Sequence, residues 1–250
     1  MFLIVSSTGL TFGAFNSGPK YLMTNEHFEL LEETVGVQTR RAAVIVGRFS
    51  TPTIGHYALF DAVKKYIREN PDLKLNIVPI VVVVEGKETS KDKTKNPLNG
   101  AERISFMTGS GKANGIKFLK AGSAFDAFEV VRKAGYEPIA VAAGSDRAPN
   151  YLSILNKYFK NKDDSPIKHY SIELKRNEIK AQEDDMTELL RYVEKKMPVA
   201  LVSGSLARHA VAQADLEKFS VLTGLSDKPK LAKLMFDKIA KTREETNGVT

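Results

Sequence analysis

The sequence predicts an α/β protein: a doubly wound parallel sheet with a helical extension at its C-terminal end. Three observations lead there. Apolar runs of strand length recur along the chain, among them "AAVIVG" (42–47), "LNIVPIVVVV" (75–84) and "PIAVAAG" (138–144). The stretches between them carry helical spacing. The runs are also continuous, as in strands covered on both faces. Strands alternating with helices argue for a parallel sheet with helices on both sides.

The elements follow in order. Residues 1–40 stand apart, with the Gly/Ser/Thr-rich "STGLTFGAFNSG" and a short helical pattern, "NEHFELLEETVG". They read as an N-terminal extension. After "AAVIVG", the segment "HYALFDAVKKYIREN" sets Tyr57, Phe60, Val63 and Ile67 on one helical stripe. In the second strand Pro79 is expected at the start or at a bulge, because it cannot donate to a ladder. "ERISFMTGS" reads as a helix, "IKFLKAG" as a strand, and "AFDAFEVVRKAGY" as a helix closed by Gly135. "PNYLSILNKYF" is helical, "IKHYSIELKR" alternates like a strand, "MTELLRYVEKK" is helical and "VALVSGS" returns to strand. "LARHAVAQA" and "PKLAKLMFDKIAKTREE" close the chain as helices, the latter with Leu231, Leu234, Met235 and Ile239 on one stripe. The expected organisation is an extension over 1–40, a core over 41–215 and a helical segment over 216–250.

Composition narrows the function classes. Lys and Arg outnumber Asp and Glu by 37 to 30 in 250 residues, a formal net charge of +7. That balance suits phosphate-bearing ligands. The basic residues are scattered, with no RNA-binding signature, so nucleic acid is not expected as the main ligand. Cysteine is absent, which excludes disulfides, thiol nucleophiles and thiolate metal sites. No apolar stretch has the length of a membrane span. His27, His169 and His209 lack ligand spacing, and no protein-bound metal site is expected. A cytoplasmic protein is the expectation. Two stretches only approach a P-loop: "GAFNSGPK" (13–20) sets Pro19 before its lysine, and "GSGKANG" (109–115) has no Ser or Thr after its lysine.

In doubly wound sheets ligands bind beyond the carboxyl ends of the strands, which directs attention to four loops. The first holds "GRFSTPTIGH" (47–56), a strand-to-helix turn. A helix start offers unpaired N–H groups to anions, Gly55 permits close approach, and Thr53 and His56 add donors. Far along the chain "VSGSLAR" (202–208) opens another helix, with Ser203 and Ser205 flanking Gly204 and Arg208 one turn on. "AAGSDRAPNY" (142–151) puts Asp146 and Arg147 after a third strand, and "KETSKDKTK" (87–95) puts Lys91, Lys93 and Lys95 after the second. Taken singly, each has a plain structural explanation: a serine cap, a solvated lysine loop, a half-buried histidine.

Together they are more specific. Gly47, Phe49, Thr53, Gly55 and His56 fit G-x-F-x-x-x-[HT]-x-G-H, and "VSGSLAR" resembles [IV]-S-[GST]-[ST]-x-x-[RK]. In these two motifs, and in "NPLNGAERI" (96–104), the chain resembles the nucleotidylyltransferase superfamily, the HxGH-motif adenylyl- and cytidylyltransferases. The stretch from about 42 to 215 is most similar to phage-encoded cytidylyltransferase-like members. Thr53 replaces the first His of the motif, as in phosphopantetheine adenylyltransferase, and Leu98 stands where a Phe is usual.

The resemblance implies a Rossmann-like fold and transfer of a nucleotidyl group from ATP or CTP to a phosphorylated small-molecule acceptor, with release of pyrophosphate. It implies that His56 and Thr53 stabilise the α-phosphate, that Ser203, Gly204, Ser205 and Arg208 hold the outer phosphates, and that Gly47, Arg48, Phe49 and Gly55 shape the nucleotide pocket. Asp146 is expected on ribose or acceptor hydroxyls, and Lys93 and Lys95 on phosphates. Magnesium is expected to arrive on the triphosphate. A rival expectation is a nucleotide-binding or structural module, a virion component that keeps the fold without turnover. Homo-oligomers or virion proteins are then the expected partners, and the host cytoplasm or the virion the location.

Overall fold

A computed structural model describes residues 2–6, 9–13, 40–70, 77–160, 165, 167–174 and 202–248. The chain divides into two compact units, residues 1–39 and 40–250. Within the first, β1 (Phe2–Ser6) and β2 (Gly9–Gly13) form an antiparallel hairpin. Nothing in the sequence pattern had announced this pairing. The helical pattern over 25–36 lies outside the described residues, as do that over 186–196 and the first three residues of "VALVSGS", 199–201.

The second unit is built on five parallel strands: β3 (Arg40–Gly47), β4 (Ile77–Val84), β5 (Lys117–Ala121), β6 (Tyr136–Gly144) and β7 (Tyr170–Leu174). Their spatial order is β5-β4-β3-β6-β7. The chain adds strands outward from β3 on one side, then returns to build on the other. This is the Rossmann-like doubly wound order, with its switch point between β3 and β6.

Pro79 stands inside β4, opposite Ala43 of β3, in a register without a bulge. It is tolerated because β5 begins to pair with β4 only at Ile80, so one side of Pro79 has no ladder to serve. The register shift in this sheet falls elsewhere, between Ala42 and Ala43 of β3 where β3 meets β6.

Helices cover both faces. Strand residues alternate between them, as a period of two demands. Ala43, Ile45, Val81 and Val83 pack with Tyr57, Phe60 and Val63 of α1 (Ile54–Glu69) and with Met107 of α3 (Gly100–Gly109). Ala42, Val44, Ile80 and Val82 pack with Phe128 and Val131 of α4 (Ala124–Lys133) and with Leu155 of α5 (Ala148–Tyr158). The short α2 (Lys87–Lys91) follows β4.

A third apolar cluster lies under the C-terminal helices, α6 (Gly204–Ala212), α7 (Leu216–Thr223) and α8 (Pro229–Asn247). Leu206, Phe219, Leu222, Met235 and Ile239 meet Leu98 and Phe106 there. The buried stripe of α8 is Ala232, Met235 and Ile239. Leu234, expected on it, is 59% exposed, because it lies about 100° round the helix from Met235. Among the described residues no helix is long and apolar enough to cross a membrane.

Gly224 ends α7 in the left-handed conformation, at φ 65°. A Cβ there would meet Ile54 Cγ2 at 2.8 Å, so this turn is pressed against the start of α1. Gly224→Ala is expected to cost ~1–3 kcal/mol. A urea denaturation curve with a lowered midpoint checks it.

Candidate active site

A cleft of about 480 Å³ opens at the carboxyl ends of β3 and β6, at the switch point of the sheet. Three chain segments form most of its wall. Val46 to Ser50 continue β3, Ala143, Gly144, Asp146 and Arg147 continue β6, and Ser203, Gly204, Ser205 and Arg208 come from the start of α6. His56 and Leu59 from α1 and Lys95 complete it. The volume lies in the range usual for small-molecule sites.

The β3–α1 turn is held in an uncommon shape. Phe49 has φ 49°, the left-handed region that a bulky residue rarely occupies. Its ring folds back over Gly47, where a Cβ would lie 2.8 Å from the ring carbons. Gly47 is therefore required for close approach. The same ring meets the His56 ring edge-on at a centroid distance of 5.1 Å, and Phe60 at 5.9 Å.

His56 is the third residue of α1. Its Nδ1 accepts from the Thr53 backbone N–H at 3.0 Å, the part a Glu or Gln side chain plays in a capping box. Because Nδ1 accepts, the ring proton sits on Nε2. The neutral imidazole is thus a donor through Nε2. The Thr53 hydroxyl, fully buried, donates to Val202 O at 3.0 Å and lies 3.0 Å from His56 Nδ1. Thr53 is therefore not on the wall of the cleft. It orients His56 and ties the β3–α1 turn to the residue before the α6 cap.

Arg208 makes the second tie. Its Nη1 donates to Ser50 Oγ at 3.1 Å and its Nη2 to Ser205 Oγ at 3.0 Å. Ser203 caps α6, accepting from Leu206 N–H at 3.3 Å. Gly204 packs so close to the β3–α1 turn that a Cβ would lie 3.1 Å from Thr51 O. The imidazole at 56 and the guanidinium at 208 thus line one cavity.

The wall carries four cations, Arg48, Lys95, Arg147 and Arg208, against one carboxylate, Asp146. Asp146 pairs with Arg147 at 3.4 Å, and Lys95 pairs with Asp92 at 3.3 Å. The Thr94 hydroxyl and the Lys95 N–H hold the Asp92 carboxyl down at about 2. Burial, and then the like charge of Arg48, keep Arg208 below the usual arginine value. A wall of this charge suits an anion.

Of the residues singled out in the sequence, Gly47, Arg48, Phe49, His56, Lys95, Asp146, Ser203, Gly204, Ser205 and Arg208 share this wall. Thr53, Gly55 and Lys93 are not on it; Lys93 is solvent-exposed beyond the turn organised by Asp92. Sequence reasoning missed Ser50, whose hydroxyl has no motif of its own, and Arg103. Arg103, in "ERI", is 2% exposed. Its Nε donates to Leu98 O at 2.7 Å and its Nη1 to Arg48 O at 3.0 Å and Val84 O at 3.3 Å. The nearest countercharge is Glu85 at 3.9 Å, and burial holds the guanidinium below its usual value.

No family model matches the chain, and no curated protein does. Among solved structures it is similar to tyrosyl-tRNA synthetase from Leishmania major, in complex with fisetin, at 13% identity and a TM-score of 0.41. The match covers 88% of this chain and spans 44% of that one. The strand order, rather than this likeness, defines the fold class.

Thr53→Val keeps the shape of the side chain but leaves the buried Val202 carbonyl without its donor. It is expected to cost ~1–3 kcal/mol, and Thr53→Ser much less. Chemical denaturation of the two variants side by side checks the difference.

Proposed function

We propose that this chain is a nucleotidyltransferase, moving a nucleoside monophosphate group from ATP or CTP to a phosphorylated small-molecule acceptor. One observation carries the proposal. The first turns of α1 and α6, more than a hundred residues apart, meet at one cationic cleft with His56 and Arg208 on its wall. The motif resemblance of "GRFSTPTIGH" and "VSGSLAR" gives that cleft its chemistry.

On this reading an oxygen of the acceptor's phosphate attacks the α-phosphorus of the triphosphate. The new P–O bond forms as the bond to the β-bridging oxygen breaks, and pyrophosphate leaves with the electron pair. No protein nucleophile is needed, so the protein contributes orientation and charge stabilisation. His56 Nε2–H donates to an α-phosphate oxygen as charge develops there. The N–H groups at the start of α6, with Ser205 and Arg208, hold the β- and γ-phosphates. Phe49 and Gly47 bound the nucleoside side. Asp146 serves the ribose or acceptor hydroxyls, and Lys95 the phosphates.

Magnesium, carried in by the triphosphate, would supply charge neutralisation. Asp146 is the one carboxylate on the wall, and no group of three or more His, Asp or Glu able to hold a metal occurs among the described residues. This fits an ion held mainly by phosphate oxygens and water.

Pyrophosphate release with ATP and CTP across a panel of phosphorylated acceptors tests the reading. His56→Ala is expected to lower turnover on the order of a hundredfold or more, with nucleotide affinity much less affected. Wild-type turnover in that variant would remove His56 from the chemistry. Calorimetric binding of either nucleotide without release would mark a nucleotide-binding module instead.

A further inference from the structure

A second cavity, of about 250 Å³, lies beside the cleft. Its wall is Gly47, Arg48, Val84, Ala124, Arg147 and Tyr151. These come from the ends of β3 and β4 and the first turns of α4 and α5. Gly47, Arg48 and Arg147 line both cavities. The two arginines therefore form a cationic boundary between the two spaces.

We propose that this second cavity is the acceptor's subsite, and that it selects a phosphomonoester with a small apolar or flat body. The proposal rests on the nucleotidyl-transfer reading above for the word acceptor, but the cavity's preference stands on its own wall. At the boundary stand the two arginines, Arg48 and Arg147, the latter paired with Asp146 at 3.4 Å; no carboxylate belongs to this lining itself, so its net positive charge favours a phosphate there. Beyond them the side chains of Val84 and Ala124 are aliphatic, and that of Tyr151 is a ring with one hydroxyl. A polyol buried there would lose water from several hydroxyls with few partners to replace it. A flat or apolar body loses nothing of the kind and gains contact with the tyrosine ring. The space is smaller than typical sites for whole drug-sized ligands. It holds a fragment, not a second nucleotide. A phosphate seated at the boundary also faces the main cleft, where the proposed α-phosphorus lies.

Phenyl phosphate and glycerol 3-phosphate, titrated separately into the full chain and followed by NMR, test the subsite. Phenyl phosphate is expected to bind on the order of tenfold more tightly. Ala124→Leu, which fills the cavity, is expected to weaken phenyl phosphate on the order of tenfold while leaving ATP and CTP affinity within about twofold. Arg147→Gln is expected to weaken both esters on the order of tenfold. Should Ala124→Leu fail to fold, Tyr151→Ala serves, with the expected result that the preference for phenyl phosphate disappears. Equal affinity for the two esters, or undiminished phenyl phosphate binding in the folded variant, overturns the subsite. Selective phenyl phosphate binding without any nucleotide binding supports the subsite and overturns the nucleotidyl-transfer reading. Nucleotide binding without ester discrimination does the reverse.

Discussion

Two hydrogen bonds lock the β3–α1 turn to the start of α6: Thr53 Oγ1 to Val202 O, and Arg208 Nη1 to Ser50 Oγ. Their partners are 149 and 158 residues apart in the chain. Each bond is worth only ~1 kcal/mol in net stability, yet together they set the distance and angle between two helix starts. The bulk of the energy that keeps α6 in place comes from elsewhere. Leu206, Ala207 and Ala210 turn into the cluster with Phe219, Met235 and Ile239, so α7 and α8 grip α6 from the side away from the cleft. The last two helices, α7 and α8, thus act on the site without lining it. They bury the apolar face of α6, and the polar ties then fix where its N-terminus points.

A second support comes from below the turn. Phe49 occupies a backbone region costing of order 1–3 kcal/mol, so something must hold it there. The fully sequestered guanidinium of Arg103 binds the carbonyl of Arg48 and, through the same nitrogen, that of Val84. It therefore fastens the ends of two neighbouring strands to one point. With the Arg48 carbonyl fixed, the Phe49 ring closes over Gly47 and presses on His56. The imidazole is then constrained twice, by ring contact on one side and by the Thr53 N–H at Nδ1 on the other. A rigid donor is what electrostatic stabilisation of a developing charge requires.

The fold was legible where burial writes itself into composition. The continuous runs "AAVIVG" and "PIAVAAG" are apolar at every position because α1 and α3 cover one face and α4 and α5 the other. The β1–β2 hairpin was not legible, since its ten residues mix Gly, Ser and Thr with apolar residues in no clear period. The exposure of Leu234 was missed because a four-residue stripe spans too wide an arc to name its own centre. On the wall of the cleft, Gly47, Gly204, His56, Ser203 and Arg208 were readable, because strand-to-helix turns demand particular residue types, whereas Gly55 lies off it. The orientation of Thr53 was not. Its partner is a backbone carbonyl, and carbonyls carry no residue identity. Arg103 was hidden for the same reason, as its three acceptors are all main-chain oxygens.

Charge joins these pieces. Arg48 stands close enough to Arg208 and Arg103 for its charge to disfavour theirs, while Asp146 is the one carboxylate on the wall of the cleft. The protein by itself thus concentrates like charges around a void. Packing holds them there at a cost, and that cost falls when an anion enters. The same arginine, Arg48, lines the smaller apolar cavity, so an anion on one side of it changes the field on the other. Two phosphates flanking a shared guanidinium repel each other less than they would in water alone. On the proposed reading, that would ease the main electrostatic obstacle to transfer between two phosphorylated partners, the approach of one phosphate to another.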